Sequence, residues 1–398
     1  MPATLVKCEQ QRVLKSPHIW GKVGYLSTQP HCGEKMDFIM QMRPLFEEEE
    51  KRAVCEYMDE DGFITEFTRT KIFEDMIAEY TGARHCIVVN NGTISLTLAA
   101  LAVGVQSGDE VIVPNYTMVA TPNSMKLFGA EPIFSDVEPG TLCLDLNRAA
   151  EAITGRTKAI ILVSANGRYP REGIEAFQKL CNDRGLLLIE DAAQSLGSYY
   201  PDGTHVGRAG LVGSFSFSAP KIISTGQGGA LITDDDAIAD RLRKLKDFGR
   251  SEGGNDIHDE IGFNFKFTEL QACVGIEQMK KLGSRLQRKK QIWQRYHDRL
   301  RSVHGLKLFE HKLQFTAPWF IDSMVDERDE LSEYLRLKKI GTRPMYPPIN
   351  QQKAYQRSGD YPVSSSVGRH GLWLPSQVQL EDSQIDYICE SISKFYGG

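Results

Sequence analysis

Residues 214–229 read SFSFSAPKIISTGQGG, with Lys221 as the single charged side chain of the stretch. Phe215 and Phe217 alternate with serines, the period-two pattern of a strand with one buried face. Gly226, Gly228 and Gly229 follow and allow a reversal of the chain close to a ligand or a neighbouring backbone. A lysine on an open loop would stay solvated and charged. Burial disfavours the ammonium, so a lysine enclosed between such a strand and such a turn sheds its proton near neutral pH and becomes able to form a Schiff base.

Upstream, GLLLIEDAAQSLG carries a near-continuous apolar run, Leu186 to Ile189, ending in Glu190 and Asp191. Runs of this kind read as strands buried on both faces, and α/β folds place ligand-binding groups at the carboxyl ends of such strands. A lysine to hold an aldehyde and a carboxylate to keep a pyridine nitrogen protonated are the two groups that pyridoxal phosphate chemistry requires of a protein.

EDAAQ, SFSFSAPK, TGQGG and GFNFKFTELQA occur in that order, and together they resemble the sugar aminotransferases of the DegT/DnrJ/EryC1/StrS family from about Met42 to the C-terminus. The resemblance implies an α/β, fold-type I, aspartate aminotransferase-like pyridoxal-phosphate-dependent transferase. A large domain with a mostly parallel sheet, residues 42–283, is expected to precede a connecting helix and a smaller α+β C-terminal domain, residues 284–398. Residues 1–41 read as an extension ahead of the family's start. The resemblance makes Lys221 and Asp191 the catalytic pair, with pyridoxal 5'-phosphate as cofactor.

Other positions follow residue by residue. HCIVVNNGTISLTLAALAVGV gives a buried strand, a polar turn and an apolar helix. Such a turn is either an anion site at a helix N-terminus or an ordinary strand-to-helix turn capped by Thr93. The resemblance places Gly92 and Thr93 on the cofactor phosphate together with Ser216, and Gln194 on the ring hydroxyl. Where the family has an aromatic residue over the ring this chain has Met118, with Tyr116 as the alternative source of aromatic surface. Asn264 and Lys266 match positions that reach across a dimer interface toward the partner's cofactor phosphate, which implies a homodimer with shared active sites. Family members often end the strand before the site in a His-x-Tyr-Gly type sequence; here it ends in Ser164, Ala165, Asn166, Gly167 and Arg168. Arg168 reads either as a phosphate or carboxylate ligand or as a surface arginine. In KKIGTRPMYPPIN, which resembles the family's IxxRPxxxPxH stretch, Arg343 and Tyr346 are candidates for the substrate side of the site.

Composition bounds the rest. The chain has 398 residues, 41% hydrophobic and 25% charged, with 47 Lys and Arg against 52 Asp and Glu. The formal charge of -5 supplies no general basic field for nucleic acid. No run reaches the roughly 20 apolar residues of a membrane span. Eight cysteines stand singly, without CxxC pairs or Cys/His metal-ligand spacing, so no metal site and a reducing, cytoplasmic location are expected. Pro44 onward reads as a helix whose acid run Glu47 to Glu50 is a solvated start, followed by a second helix closed by Gly82. After the lysine come a strand and an Asp-capped helix with a solvated basic face. The basic helix Ser284 to Val303, interleaved with Trp293 and Tyr296, reads as an amphipathic connector rather than a nucleic-acid surface.

The expected reaction is transfer of the amino group of L-glutamate to a nucleotide-linked 4-keto-6-deoxyhexose, of perosamine or viosamine type. An aminotransferase acting at the third sugar carbon shares all these motifs, and a non-catalytic relative that binds the cofactor as sensor or scaffold is the rival of another class. Relatives that dehydrate sugars with a histidine lack the lysine that stands here at 221.

Overall fold

The computed structural model describes residues 37–60, 62–251 and 255–397. The first 36 residues of the expected N-terminal extension lie outside these.

Seven strands form the larger sheet: β1 (His85–Val89), β2 (Glu110–Pro114), β3 (Glu131–Ser135), β4 (Thr157–Val163), β5 (Leu187–Asp191), β6 (Val212–Ser216) and β7 (Gly229–Thr233). Their order is β1-β7-β6-β5-β4-β2-β3. From β3 to β6 every pairing is parallel, while β7 is antiparallel to both β6 and β1. Alternate residues feed two cores: Ile160, Leu162 and Leu188 belong to one, Ile161, Val163 and Ile189 to the other. Both faces are therefore covered, which is why these strands read as continuous apolar runs.

The helix Gly92–Val103 is the buried central pillar of this layer. Ile94 through Ala100 are all buried, as a helix apolar all round must be. Its N-cap is Asn91, whose side chain accepts from the Ile94 amide at 2.9 Å. The alternative of a turn capped by Thr93 is not what forms: the cap lies two residues earlier, and the amides of Gly92 and Thr93 are left pointing out of the first turn.

A second sheet, entirely antiparallel, follows the connecting helix Leu282–Leu300. It consists of β8 (Leu306–Leu308), β9 (Ile321–Val325), β10 (Arg343–Pro344) and β11 (Gly371–Leu374), ordered β10-β11-β9-β8. Trp293 and Tyr296 of the connecting helix are buried in the core of this second layer, so their apolar faces are spent on packing.

Two expectations about surface charge need correction. Glu50 is 2% exposed, accepts from Gln278 at 2.7 Å and shares Lys281 with Glu47 and Glu49. The acid run is therefore a docking point for the helix Glu269–Lys280, not merely a solvated start. In the Asp235-capped helix Asp236–Lys246, Lys246 is buried against Glu66 at 2.8 Å and Glu74 at 3.5 Å. A buried ammonium requires such partners.

Candidate active site

The carboxyl ends of β1, β2, β5 and β6 open into one cavity of about 520 Å³, closed on the far side by Arg343 of β10 and by Trp319 and Tyr346 beside the second sheet. Lys221, Asp191, Gly92, Thr93, Met118, Gln194, Ser216, Arg343 and Tyr346 all line it.

Lys221 rides on the loop between β6 and β7, and that loop is held at many points. Phe217 donates its amide to the Gly228 carbonyl at 2.8 Å and its ring packs on Phe73. Its burial anchors the loop by about 2 kcal/mol. Ser224 donates to the Gln278 side chain at 3.1 Å, and Trp319 donates Nε1–H to the Pro220 carbonyl at 2.7 Å. The turn needs its glycines: Gly226 has φ +79°, and a Cβ on Gly229 would stand 2.6 Å from the Asn91 carbonyl oxygen. The lysine Nζ has no hydrogen-bond partner among the described residues and lies 4.5 Å from the centre of the Trp319 ring. Burial pushes its pKa down to about 8, opposed by the charge of Asp191.

Asp191 ends β5 and is 5% exposed. Its carboxylate accepts from Thr121 Oγ1 at 2.8 Å and from the Ala193 amide at 3.2 Å. Burial raises its pKa, with those two donors and the Lys221 charge pulling the other way. The neighbouring Glu190 faces away from the cavity, satisfied by Tyr200 and the amides of Gly207 and Gly210.

At the other end of the cavity Gly92 touches Ser216. A Cβ at Gly92 would come within 2.8 Å of the Ser216 Cβ. The close approach leaves a polar cradle of a hydroxyl and two amides without a partner among the described residues, at the positive end of a 12-residue helix, a binding place for an oxyanion.

Gln194 lines the cavity with its Oε1 tied to the Asn166 amide at 2.6 Å. Met118 is 44% exposed there. Tyr346 stands edge-on to Trp373 at 4.7 Å, and burial pushes its hydroxyl up to about 12 against the pull of Arg343. Arg343 has no carboxylate partner among the described residues; its guanidinium lies over the Trp373 ring.

Four residues stand elsewhere. Arg168 is 3% exposed and paired with Asp322 at 2.6 Å, with its remaining donors on the Thr141 carbonyl and His311. Four of its five N–H donors are engaged by the fold, and it lies outside the lining of this cavity. Tyr116 is packed behind the cavity against Tyr346 and supplies no aromatic face to it. Asn264 and Lys266 are outside the lining of this cavity, and Lys266 is held by Asp247 at 2.6 Å. Thr121, Gln227 and Trp319 line the cavity without having been marked in the sequence. Thr121, four residues after Thr117 in the loop-to-helix segment, carried a faint signal; Trp319, in APWF, carried none.

A sheet of this topology, with a carboxylate at the carboxyl end of one strand and a half-buried lysine on the loop that follows the adjacent strand, defines a fold-type I transferase. The chain belongs to the DegT/DnrJ/EryC1/StrS aminotransferase family, whose profile matches residues 44–393. It is 34% identical over 365 residues to the GDP-perosamine synthase of Escherichia coli O157:H7, covering 91% of this chain and 99% of that one. Among solved structures it is similar to S. venezuelae DesV, crystallised in complex with a ketimine intermediate, at TM-score 0.83 and 30% identity over 88% of this chain and 95% of that one. It is also similar to Helicobacter pylori PseC, an aminotransferase involved in the biosynthesis of pseudoaminic acid, at TM-score 0.84 and 25% identity over 90% and 99%.

Proposed function

We propose that this aminotransferase uses pyridoxal 5'-phosphate to move the amino group of L-glutamate onto a nucleotide-linked 4-keto-6-deoxyhexose. The observation that carries the reading is the shared cavity of Lys221 and Asp191 at the carboxyl ends of β5 and β6. The residues present fit the cofactor. The amine without a hydrogen-bond partner suits its aldehyde, and the free amides of Gly92 and Thr93 with Ser216 suit its phosphate. Asp191 is a buried carboxylate with two neutral donors, and a pyridinium nitrogen would supply the cation it lacks nearby apart from Lys221. When bound, the cofactor supplies the electron sink for loss of a proton from the amino acid α-carbon.

The chain's own groups do the remainder. Lys221, with a pKa near the working pH, takes a proton from one carbon and returns it to another. Thr121 and the Ala193 amide hold Asp191 in place, and Gln194, tied to the Asn166 amide, would hold the ring hydroxyl. Arg343 lines the cavity without an acid partner among the described residues, which suits it to the carboxylate of the amino donor or an anionic part of the sugar nucleotide. Met118 lines the cavity, and its thioether would supply a cover for the ring's π-face.

The perosamine synthase relative supports amination at the fourth carbon and a guanosine diphosphate carrier. Asn264 and Lys266, outside the cavity of their own chain, suit a homodimer in which each copy completes the other's phosphate site. The division into a large domain, residues 42–283, and a small one, residues 284–398, is part of the same reading and is supported by the two separate sheets. So is a cytoplasmic place of work, supported by six unpaired cysteines among the described residues. No described helix is long and apolar enough to cross a membrane.

The test is a panel of nucleotide-linked keto sugars, incubated with enzyme, cofactor and L-glutamate, and followed for 2-oxoglutarate and the amino sugar. Amination of a GDP-linked 4-keto-6-deoxyhexose is the expected result. Product only from 3-keto sugars would move the reaction to the third carbon. No product from any of them, with cofactor bound, would leave the scaffold role.

A further inference from the structure

Trp319 reaches Lys221 twice. Its indole face lies 4.5 Å from Nζ, and its Nε1–H donates at 2.7 Å to the carbonyl of the Pro220–Lys221 peptide. One side chain therefore meets both the reactive amine and the backbone that carries it, and it does so from the far side of the connecting helix, 99 residues along the chain. Trp319 is itself 5% exposed and stacked on Phe320.

The segment bearing Trp319 is gripped by the loop at 164–168. Asn166 accepts from the Phe320 amide at 2.6 Å and donates to the Phe320 carbonyl at 2.9 Å, so both polar groups of one residue are closed by one side chain. Asn166 adopts φ 54° to do this, a conformation that asparagine tolerates better than most residues. A Cβ on the next residue, Gly167, would stand 2.1 Å from the Ala317 carbonyl oxygen. The Arg168–Asp322 pair closes the clamp on the other side.

We propose that Trp319 is a positioning residue for the Lys221 amine: its ring is the seat of the amine whenever the amine is free, and the Asn166 loop holds that seat in place. The inference rests on the assignment of Lys221 as the reactive amine. An ammonium over an indole face is stabilised electrostatically, and here that attraction opposes the burial of the lysine. Among the described residues, the titratable groups that share a cavity lining with Lys221 are Asp191 from β5, Arg343 and Tyr346 in the large cavity, and Arg43, Arg285 and Lys289 in a small one behind it. Asp191 alone among these is a carboxylate, so the ring is a substantial part of what keeps the amine protonated and in register.

The experiment measures the Lys221 pKa directly, in the full chain stripped of cofactor, from the pH dependence of its acetylation read by mass spectrometry. Trp319→Leu removes ring and donor, and the apparent pKa should fall by about half to one and a half units. Trp319→Phe keeps an aromatic face, and its fall should be smaller than that of the leucine variant. Asn166→Gly, which tolerates the positive φ and deletes both contacts to Phe320, should shift the pKa in the same direction and answers the question even if Trp319→Leu does not fold. An unchanged or raised pKa in the leucine variant, or in Asn166→Gly where the leucine variant cannot be made, overturns the proposal, as does an equal fall in the phenylalanine and leucine variants. Because no turnover is measured, these results are independent of whether Lys221 performs the transfer, which Lys221→Ala tests separately.

Discussion

Thr121 donates its hydroxyl to Asp191 Oδ2 at 2.8 Å, and this bond ties the segment after β2 to the last residue of β5. Both groups are buried. Hydrogen bonds to an ionised acceptor are worth about 1.5–3 kcal/mol. Thr121→Val keeps the shape and removes the donor, so the Asp191 pKa rises further and the carboxylate stays protonated to higher pH. We expect pyridoxal phosphate to bind about 10- to 100-fold more weakly, with its acid limb shifted upward, in a fluorescence titration across pH.

Lys221 governs a second pH dependence. Its pKa, pushed down to about 8, leaves a growing neutral fraction as pH rises through that value. Covalent capture of pyridoxal phosphate by the stripped protein should accelerate with pH and level off above it. Asp191 opposes the shift, so Asp191→Asn should move the midpoint below 8. Lys221→Ala should fold normally, capture no cofactor and lose transamination; a variant with full activity would refute the role of the lysine.

Gly92 is a site where a gain in helix propensity should lose to sterics. Alanine would favour the first turn by up to about 1 kcal/mol, but its Cβ would stand 2.8 Å from the Ser216 Cβ. Forcing the helix and β6 apart costs on the order of 1–3 kcal/mol and splits the anion cradle. Gly92→Ala should lower the melting temperature and weaken inorganic phosphate competition with the cofactor.

Arg168 and Arg343 separate a structural arginine from a ligand-facing one. Arg168→Ala leaves Asp322 buried without its partner, and breaking such a pair costs about 3–5 kcal/mol. Arg343 is exposed at the cavity and paired with no acid among the described residues. Arg343→Ala should keep the melting temperature and raise the KM for one anionic substrate. Thermal denaturation combined with steady-state kinetics on both variants checks this, and the reverse pattern would exchange their roles.

Lys289 is 3% exposed and donates to the Ser376 carbonyl at 2.6 Å. Burial pushes its pKa from 10.5 to about 7. Between those values the unfolded chain binds a proton that the folded chain sheds, so this lysine makes stability rise with pH. Below about 7 its full destabilisation is present. Lys289→Met should therefore be more stable than the parent by on the order of a few kcal/mol in mild acid, less the lost hydrogen bond. The advantage should shrink as pH climbs toward 10.5, as denaturant titrations at several pH values would show.

Much of the scaffold was legible because its signals are local. Apolar runs ending in Asp191 and in the serine-phenylalanine alternation announced β5 and β6, and Gly82 and Asp235 marked helix ends where they occur. Local pattern failed where partners come from afar. The acid run from Glu47 looks solvated until Lys281 and Gln278 are brought against it. Arg168 looks available until Asp322, 154 residues later, closes on it.

The sequence by itself determined the alternation of strands and helices, the buried sheet and the chemical kinds of the reacting groups, since each depends on side-chain period and on residues a few positions apart. Only the tertiary structure decided which groups surround Lys221. Asp191, Thr121 and Trp319 share its cavity because two cores pack against the sheet and the second sheet closes over its end, and Asn166 acts from behind through Phe320. No short-range pattern encodes contacts made between residues 70 to 154 positions apart, such as Thr121 with Asp191 and Asn166 with Phe320.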